Sequence, residues 1–178
     1  PLDKKIVGIA SRLEPVKGVR DFITAACGVC RKMQGVEFLV IGDGDLRNDL
    51  EDTVHRAGCG QRIRFLGWRE DVLELISVCD ILVQPSLNEA VGRSLLEAQI
   101  LGVPVIATKV GGIPEVVLNG VTGVLMHPNE PDTLEEVMMC LLKDDEKRHS
   151  LAREARKWVE ERFSAERMCE KIFKVYDA

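Results

Sequence analysis

The chain has 178 residues, of which 46% are hydrophobic, 30% are charged and 4% are aromatic, and its formal net charge is −5. This length and composition fit one globular domain with a single core and exclude a disordered chain. The acidic balance, with no basic stripe to displace counterions, excludes a typical nucleic-acid partner.

The ends and the hydropathy of the chain bear on targeting. No run of about 18 apolar residues, as a membrane span requires, is present, and no signal peptide or lipidation motif is visible. The first residue is Pro1. Since a natural chain starts with Met, we expect this sequence to be a piece of a longer protein whose targeting information lies elsewhere.

Apolar runs alternate with amphipathic segments along the chain, which predicts a sequence of strands and helices. The predicted strands are KIVGIA, VEFLVIG, IRFLG, ILVQP, VPVIAT and TGVLM. The helices predicted between them are VRDFITAACGVCRKMQ, LRNDLEDTVHRAG, DVLELISVC and RSLLEAQILG, and three further helical segments follow Met126. Strands that are apolar throughout and alternate with helices predict an α/β fold, a Rossmann-like doubly wound parallel sheet of about six strands with extra C-terminal helices.

Six cysteines are present, and Cys27 and Cys30 form a CxxC motif. Both fall on the apolar face of the first predicted helix, and no second CxxC or CxxH completes a metal site. We therefore interpret these thiols as small hydrophobic groups in the core, in a protein of a reducing compartment.

The first loop after a strand, SRLEPVKG, carries two basic residues. In a doubly wound sheet, ligands bind beyond the carboxyl ends of the strands. A guanidinium from Arg12 and an ammonium from Lys17 would together suit a diphosphate. The spacing leaves open the alternative that both are ordinary solvated surface residues.

The second loop, GDGDLR, contains two glycines and two aspartates. Arg47 stands where a dinucleotide fingerprint needs its third glycine, and the first loop has no such fingerprint. Asp43 and Asp45 could chelate a divalent metal, but we favour a capping role for the helix that begins near Leu46.

The segment SLNEAVGRSLLEA, residues 86–98, holds two carboxylates that first suggest an acid/base pair. Gly92 would let a ligand approach the main chain, and the predicted helix start around Arg93 and Ser94 would offer free amides to an anion. Glu97 would lie on the second turn of this helix, so Glu89 and Glu97 would contact different parts of one extended ligand. The alternative, left open, is that Glu97 is an ordinary surface residue and Glu89 a helix cap.

Six motifs in order carry a family resemblance that covers nearly the whole chain: SRLEPVKG, FLVIGDGDLRNDLE, IRFLGWREDV, SLNEAVGRSLLEAQILGVPVIAT, GGIPEVV and NGVTGVLMHP. Together they resemble the C-terminal half of retaining, nucleotide-sugar-dependent glycosyltransferases of the GT-B fold, a group that includes bacterial glycogen synthases and phosphatidylinositol mannosyltransferases. The resemblance implies that residues 1–178 form the C-terminal nucleotide-sugar-binding domain. The N-terminal acceptor domain would then be absent from this chain.

The resemblance also implies a role for each matching residue. Arg12 and Lys17 correspond to the basic pair that binds the donor diphosphate and stabilises it as the leaving group. Glu89 corresponds to an acid that binds hydroxyls of the donor sugar, and Glu97 to one that binds the ribose hydroxyls. The basic pair would lie across the cleft from the acids.

Two main-chain segments would complete the implied site. One is the helix start that meets the sugar phosphate, formed by Gly92, Arg93 and Ser94. The other is the segment that contacts the base, formed by Gly67, Trp68 and Arg69.

The sequence departs from the family pattern at a few positions. Val91 stands where the family usually has Phe, and Gln99 and Ile100 replace a common Met-Ala pair. The histidine that the family often uses near the sugar would lie in the absent half. His55, His127 and His149 are therefore interpreted as loop or solvated helix residues.

The implied function is transfer of a hexosyl group from a UDP- or GDP-linked donor, with retention of configuration and with neither a cofactor nor a metal. The acceptor would be a sugar, lipid or polysaccharide, and the enzyme would be cytoplasmic, with possible peripheral association at the inner face of the membrane. The isolated domain would bind its donor but transfer nothing. Two alternatives stay open at this point: half of a nucleotide-sugar epimerase, or a non-catalytic nucleotide-sugar-binding module.

Overall fold

The computed structural model describes the main chain of residues 4–176 and the side chains of that range except those of residues 165, 166, 170, 171, 174 and 175. Residues 1–3, 177 and 178 of the predicted domain lie outside the described residues. The strands are β1 (Lys5–Ala10), β2 (Val36–Ile41), β3 (Ile63–Gly67), β4 (Ile81–Gln84), β5 (Val105–Thr108) and β6 (Val124–Met126). All six predicted strands are thus confirmed.

Helices connect and follow these strands. They are α1 (Val19–Lys32), α2 (Arg47–Arg56), α3 (Val72–Ser77), α4 (Arg93–Ile100), α5 (Ile113–Val116), α6 (Pro131–Lys143), α7 (Asp145–Arg162) and α8 (Ala165–Tyr176). A 3-10 turn, Pro15–Lys17, precedes α1. The short helix α5 was not predicted, because one turn within GGIPEVV is too short to show a helical period.

The six strands form one parallel sheet in the order β3-β2-β1-β4-β5-β6. From β1 the chain first adds strands on one side, and it then returns to pair β4 with the other side of β1. This reversal opens a crevice at the carboxyl ends of β1 and β4, which is where ligands bind in doubly wound sheets.

Both faces of the sheet are covered by helices, as the apolar strands predicted. Along β2, Phe38 and Val40 pack into a core shared with α1, α2 and α6, while Leu39 and Ile41 pack into a second core with α3, α4 and α5. Side chains of successive strand residues point to opposite faces, so a strand buried on both sides must be apolar at every position. The predicted fold class is therefore confirmed.

The CxxC thiols lie in the core, as predicted. Cys27 and Cys30 are 4% and 7% exposed on the buried face of α1, and Cys59 lies beside them. Burial raises the pKa of Cys27 to about 12 and that of Cys30 to about 11. Such thiols remain protonated and unreactive at neutral pH.

The prediction that Asp43 or Asp45 caps α2 is wrong. The capping position is occupied by Leu46, which makes no side-chain capping bond. The Leu46 amide instead donates to the carbonyl of Leu13 at 3.1 Å, and Asp43 Oδ1 accepts from the Gly44 amide at 2.9 Å. The start of α2 is therefore held to the neighbouring loop through the main chain, without a side-chain cap.

A buried arginine anchors the start of α7. Arg148 is 5% exposed and donates to the carbonyl of Leu141 and to the carboxylate of Asp145. The Arg148 bond, and secondarily Lys5, hold the pKa of Asp145 below its ordinary range. Among the helices of residues 4–176, none combines the length and apolar character that a membrane crossing needs.

Candidate functional site

A cavity of about 650 Å³ lies at the carboxyl ends of β1, β2 and β4, beside the N-terminus of α4. It occupies the crevice that the reversal of strand order creates. Eight of the residues predicted for the site line it: Arg12, Lys17, Trp68, Arg69, Glu89, Arg93, Ser94 and Glu97. Gly67 and Gly92, the other two, lie next to lining residues in the chain and shape its walls through the main chain.

The loop that carries Lys17 lies directly against the end of β4. Gly18 has a φ of 65°, and a Cβ at this position would lie 1.8 Å from the Pro85 carbonyl oxygen. The amide of Leu87 also donates to the carbonyl of Val16 at 2.8 Å. A glycine is required here both for the left-handed backbone and for the close contact.

The backbone of the segment 85–89 is also held by the last residue of β5 and by the loop that follows it. Thr108 Oγ1 donates to the carbonyl of Ser86 at 2.5 Å, and the amide of Gly112 donates to the carbonyl of Glu89 at 3.1 Å. These hydrogen bonds fix the backbone of Glu89 independently of the contacts that its side chain makes.

Lys17 and Glu89 form an ion pair within the cavity. Lys17 Nζ lies 2.7 Å from Glu89 Oε2, and the two side chains are only 18% and 14% exposed. The prediction that the basic pair faces the acids from across the cleft is therefore wrong for Lys17, because Gly18 brings its loop onto β4. The alternative of Glu89 as a helix cap is also wrong, since Gly92 occupies the capping position of α4.

Gln84 is a site residue that sequence reasoning missed. It ends β4, is 4% exposed, and lines the cavity. Its Nε2 donates to Glu89 Oε2 at 2.8 Å, and its Oε1 accepts from Ser94 Oγ at 2.7 Å. The available signal was a single amide side chain in ILVQP, a strand that is otherwise apolar.

The N-terminus of α4 opens onto the cavity, as predicted. Gly92 has a φ of 76°, and a Cβ there would lie 2.9 Å from the side chain of Leu95. The Leu95 amide donates to the Gly92 carbonyl at 2.9 Å. The amides of Arg93 and Ser94 have no main-chain acceptor among the described residues, so this helix start provides two donors for an anion.

Glu97 lies on the second turn of α4 and lines the same cavity. Its side chain is 28% exposed and lies 3.4 Å from Arg93 Nε, while Arg93 itself is 92% exposed. Glu97 thus lies at the wall of the cavity, and its binding role stays a prediction.

The other two arginines at the cavity rim are paired with local acids. Arg12 is 71% exposed and lies 2.7 Å from Glu14. Arg69 donates two hydrogen bonds to Asp71, at 2.7 and 2.6 Å, which raise the pKa of Arg69 and lower that of Asp71. Trp68, between these elements, is 72% exposed and presents a large aromatic surface at the rim.

Asp43, from the GDGD loop, also lines the cavity. The Gly44 amide, followed by the Arg47 guanidinium at 2.8 Å, holds the pKa of Asp43 below its ordinary range. Among the side chains that the structure describes, no group of three or more His, Cys, Asp or Glu residues is arranged to hold a metal ion.

The three histidines lie outside this cavity, as predicted. His55 in α2, His149 in α7 and His127 after β6 are all exposed. None is among the residues that line the cavity.

Residues 1–158 match the family described as glycosyl transferases group 1. The chain belongs to this family. One relative, N-acetyl-alpha-D-glucosaminyl L-malate synthase of Bacillus anthracis, is 32% identical over 173 residues, which are 97% of this chain and 45% of the relative. The chain thus spans about half the length of the curated relatives it matches.

Solved structures of similar proteins show that this domain has a fold found in GT-B glycosyltransferases. Anabaena HepE, crystallised with UDP, is 30% identical and superposes with a TM-score of 0.92, over 98% of this chain and 49% of HepE. HepE has also been crystallised with UDP-glucose. The C-terminal domain of a group 1 glycosyl transferase from Francisella tularensis, solved by itself, is 27% identical with a TM-score of 0.85, over 90% of this chain and 87% of that one.

Proposed function

We propose that this chain is the C-terminal, donor-binding domain of a retaining glycosyltransferase, with residues 1–178 forming that domain. It binds a nucleotide diphosphate sugar, UDP- or GDP-linked, and needs an N-terminal acceptor domain to transfer the glycosyl group. One observation carries this proposal. A single cavity, where the strand order reverses, is lined by the N-terminus of α4, by Lys17 and by the carboxylates of Glu89 and Glu97.

The diphosphate would be bound at the floor of this cavity. The free amides of Arg93 and Ser94, at the N-terminus of α4, would donate to the diphosphate oxygens. Lys17, whose side chain is largely buried, would supply a positive charge beside them. Arg12, at the exposed rim, adds a guanidinium that can leave Glu14 for a phosphate oxygen.

The two carboxylates would bind the sugar and the ribose, which lie on either side of the diphosphate. Glu89 Oε2 accepts from both Lys17 and Gln84, and no described residue bonds Oε1, which leaves that oxygen for a hydroxyl of the sugar. Glu97, one turn further along α4, would accept hydroxyls of the ribose. The main chain of Gly67, Trp68 and Arg69 would then contact the base.

The chemistry that these residues support is departure of a charged leaving group. Breaking the bond from the sugar to the phosphate produces an oxocarbenium-like centre and leaves the nucleoside diphosphate with one more negative charge, on its terminal phosphate. Lys17, Arg12 and the helix start stabilise that charge electrostatically, so we propose a metal-independent reaction without a cofactor. The acceptor would attack from the face that the diphosphate leaves, with a phosphate oxygen taking its proton, which retains the anomeric configuration.

The acceptor side of the reaction belongs to the other domain. We expect a sugar, lipid or polysaccharide acceptor, a hexosyl donor, and a cytoplasmic enzyme, peripheral to the inner face of the membrane when its acceptor is a lipid. The isolated chain is expected to bind its donor and to transfer nothing. The HepE complexes with UDP and UDP-glucose favour UDP over GDP as the nucleotide.

Calorimetric titration with UDP and with GDP tests the site. We expect the wild-type chain to bind one of them, and Lys17→Ala and Glu97→Ala each to weaken binding about tenfold, which is the value of a charge-assisted hydrogen bond. Chelation of metals with EDTA should leave the affinity unchanged.

Lys32→Ala provides a matched control. Lys32 also lies 2.7 Å from a largely buried glutamate, Glu135, but outside the cavity. This variant should bind like the wild type. Equal binding by the wild type, Lys17→Ala and Glu97→Ala would refute the site, and failure of the wild type to bind either nucleotide would refute the function.

A further inference from the structure

Gln84 is a buried polar side chain whose two polar ends are both used. Gln84 ends β4, a strand that is otherwise apolar. Burying an amide there costs free energy unless hydrogen bonds satisfy it. Its Nε2 bonds to Glu89 at 2.8 Å and its Oε1 to Ser94 at 2.7 Å. The amide therefore joins the segment that carries the sugar-binding carboxylate to the first turn of α4.

The direction of these hydrogen bonds is determined by chemistry. An ionised carboxylate only accepts, so the NH₂ group of Gln84 must face Glu89 and its carbonyl oxygen must face Ser94. The Ser94 hydroxyl then donates its hydrogen to Gln84. As a result, the main-chain amide of Ser94, rather than its hydroxyl, is the donor available to an anion.

The same bonds select which oxygen of Glu89 is available. Oε2 accepts from Lys17 at 2.7 Å and from Gln84 at 2.8 Å. These two donors fix the rotation of the carboxylate about its last bond. Oε1 has no partner among the described residues, and it belongs to a side chain that lines the cavity.

We infer that Gln84 is a positioning residue for the donor sugar: it orients the Glu89 carboxylate. This inference rests on the proposed function, and it adds a residue that acts on the sugar through Glu89. Loss of Gln84 should therefore weaken contact with the sugar more than contact with the nucleotide.

Two variants remove the bonds in different ways. Gln84→Met keeps the length of the side chain and removes both hydrogen bonds. Gln84→Asn keeps the amide in the buried position but is one methylene shorter, so it cannot reach Glu89 and Ser94 together.

Gln99→Met is the matched control. Gln99 is a buried glutamine on α4, 0% exposed, whose Nε2 donates to the Val116 carbonyl at 3.5 Å. It is not among the residues that line the cavity. Its replacement tests the loss of a buried amide without any change at Glu89.

The test is calorimetric titration of each variant with UDP and with UDP-glucose. We expect both Gln84 variants to weaken UDP-glucose binding, by about tenfold for Gln84→Met, while UDP binding changes by less than about twofold. Gln99→Met should leave both affinities within about twofold of the wild type. The readout is the ratio of the two dissociation constants, which a general loss of stability would not change.

Other outcomes separate this inference from the proposed function. If the Gln84 variants lose affinity for both ligands equally, or for neither, Gln84 does not position the sugar contact. If neither variant gives the circular dichroism spectrum of the folded wild type, Gln84 is a structural residue and the inference is wrong. If the wild type fails to bind UDP and GDP, the proposed function itself is wrong.

Discussion

Charge removal at Lys17 and Glu89 should reveal a stabilising coupling between them. The two groups lie 2.7 Å apart, and their side chains are 18% and 14% exposed. The perturbations are Lys17→Met and Glu89→Gln, which remove charge with little change in length, separately and together. Each single variant leaves a largely buried charge without its partner, whereas the double variant leaves none.

The magnitude follows from the burial. Breaking a fully buried ion pair from one side costs about 3–5 kcal/mol, and an exposed pair contributes about 0.2–1 kcal/mol. This pair is largely buried but borders an open cavity, so we expect a coupling free energy of about 1–3 kcal/mol. In a domain of this size, each kcal/mol lost lowers Tm by about 2–4 °C.

Urea denaturation followed by circular dichroism measures all four forms of the cycle. The cycle for Lys32 and Glu135 serves as a control, since those side chains are 60% and 10% exposed and should couple more weakly. If the effects of Lys17→Met and Glu89→Gln simply add, to within about 0.5 kcal/mol, the two groups do not interact in solution and the ion pair is refuted.

Three further predictions concern the framework. Gly18→Ala should lower the free energy of unfolding by more than about 2 kcal/mol in urea denaturation, because its φ is positive and its Cβ would meet the Pro85 carbonyl oxygen. Gly58→Ala, with a φ of 69° but open space around it, should cost about 1 kcal/mol, and equal effects would contradict the close contact. The hydrogen bond from Arg148 lowers the pKa of Asp145. This contact therefore stabilises the fold fully at pH values above the ordinary aspartate pKa of about 3.9, and the stabilisation is lost as the pH falls through the lowered pKa. Asp145→Asn should therefore be less stable than the wild type at neutral pH and equally stable in strong acid, and a difference that persists in acid would count against the contact. With Ellman's reagent, the native chain should react rapidly only at its exposed thiols, and the denatured chain at all six. The buried thiols are Cys27, Cys30, Cys59 and Cys79, and burial raises the pKa of Cys79 to about 12. Rapid reaction of these four thiols in the native chain would contradict their packing.

The strands and their order along the chain could be predicted from the sequence because each is apolar on both faces. The predicted site residues likewise follow the strands, and eight of the ten line one cavity. This succeeded because the carboxyl ends of parallel strands share one edge of the sheet, so residues that follow different strands converge there.

The contact between Lys17 and Glu89 could not be predicted in the same way. The two residues are 72 positions apart, and they meet because β4 pairs with β1 after the strand order reverses. Chain order does not reveal that pairing. The capping prediction for Asp43 or Asp45 likewise missed a contact from another loop, since the start of α2 is held by a bond from the Leu46 amide to the Leu13 carbonyl.

Gln84 was missed because a single polar residue at the end of a strand has no pattern of its own. Its importance depends on two partners, Glu89 and Ser94, which are brought to it by the turn at Gly92 and the start of α4. Hydrophobic periodicity depends only on the spacing of residues along the chain. It does not reveal a side chain that forms hydrogen bonds with two others.

The segment 85–89 is held at its backbone by neighbouring loops, through Val16, Thr108 and Gly112. Its outward side chains, such as Leu87 at 39% exposure and Val91 just beyond it at 47%, contribute little to that attachment. Substitutions at these positions should therefore change the exposed surface next to the cavity while the main chain stays in place. Because fold and surface chemistry are separated in this way, the segment is well suited to evolve, or to be engineered, toward new ligands.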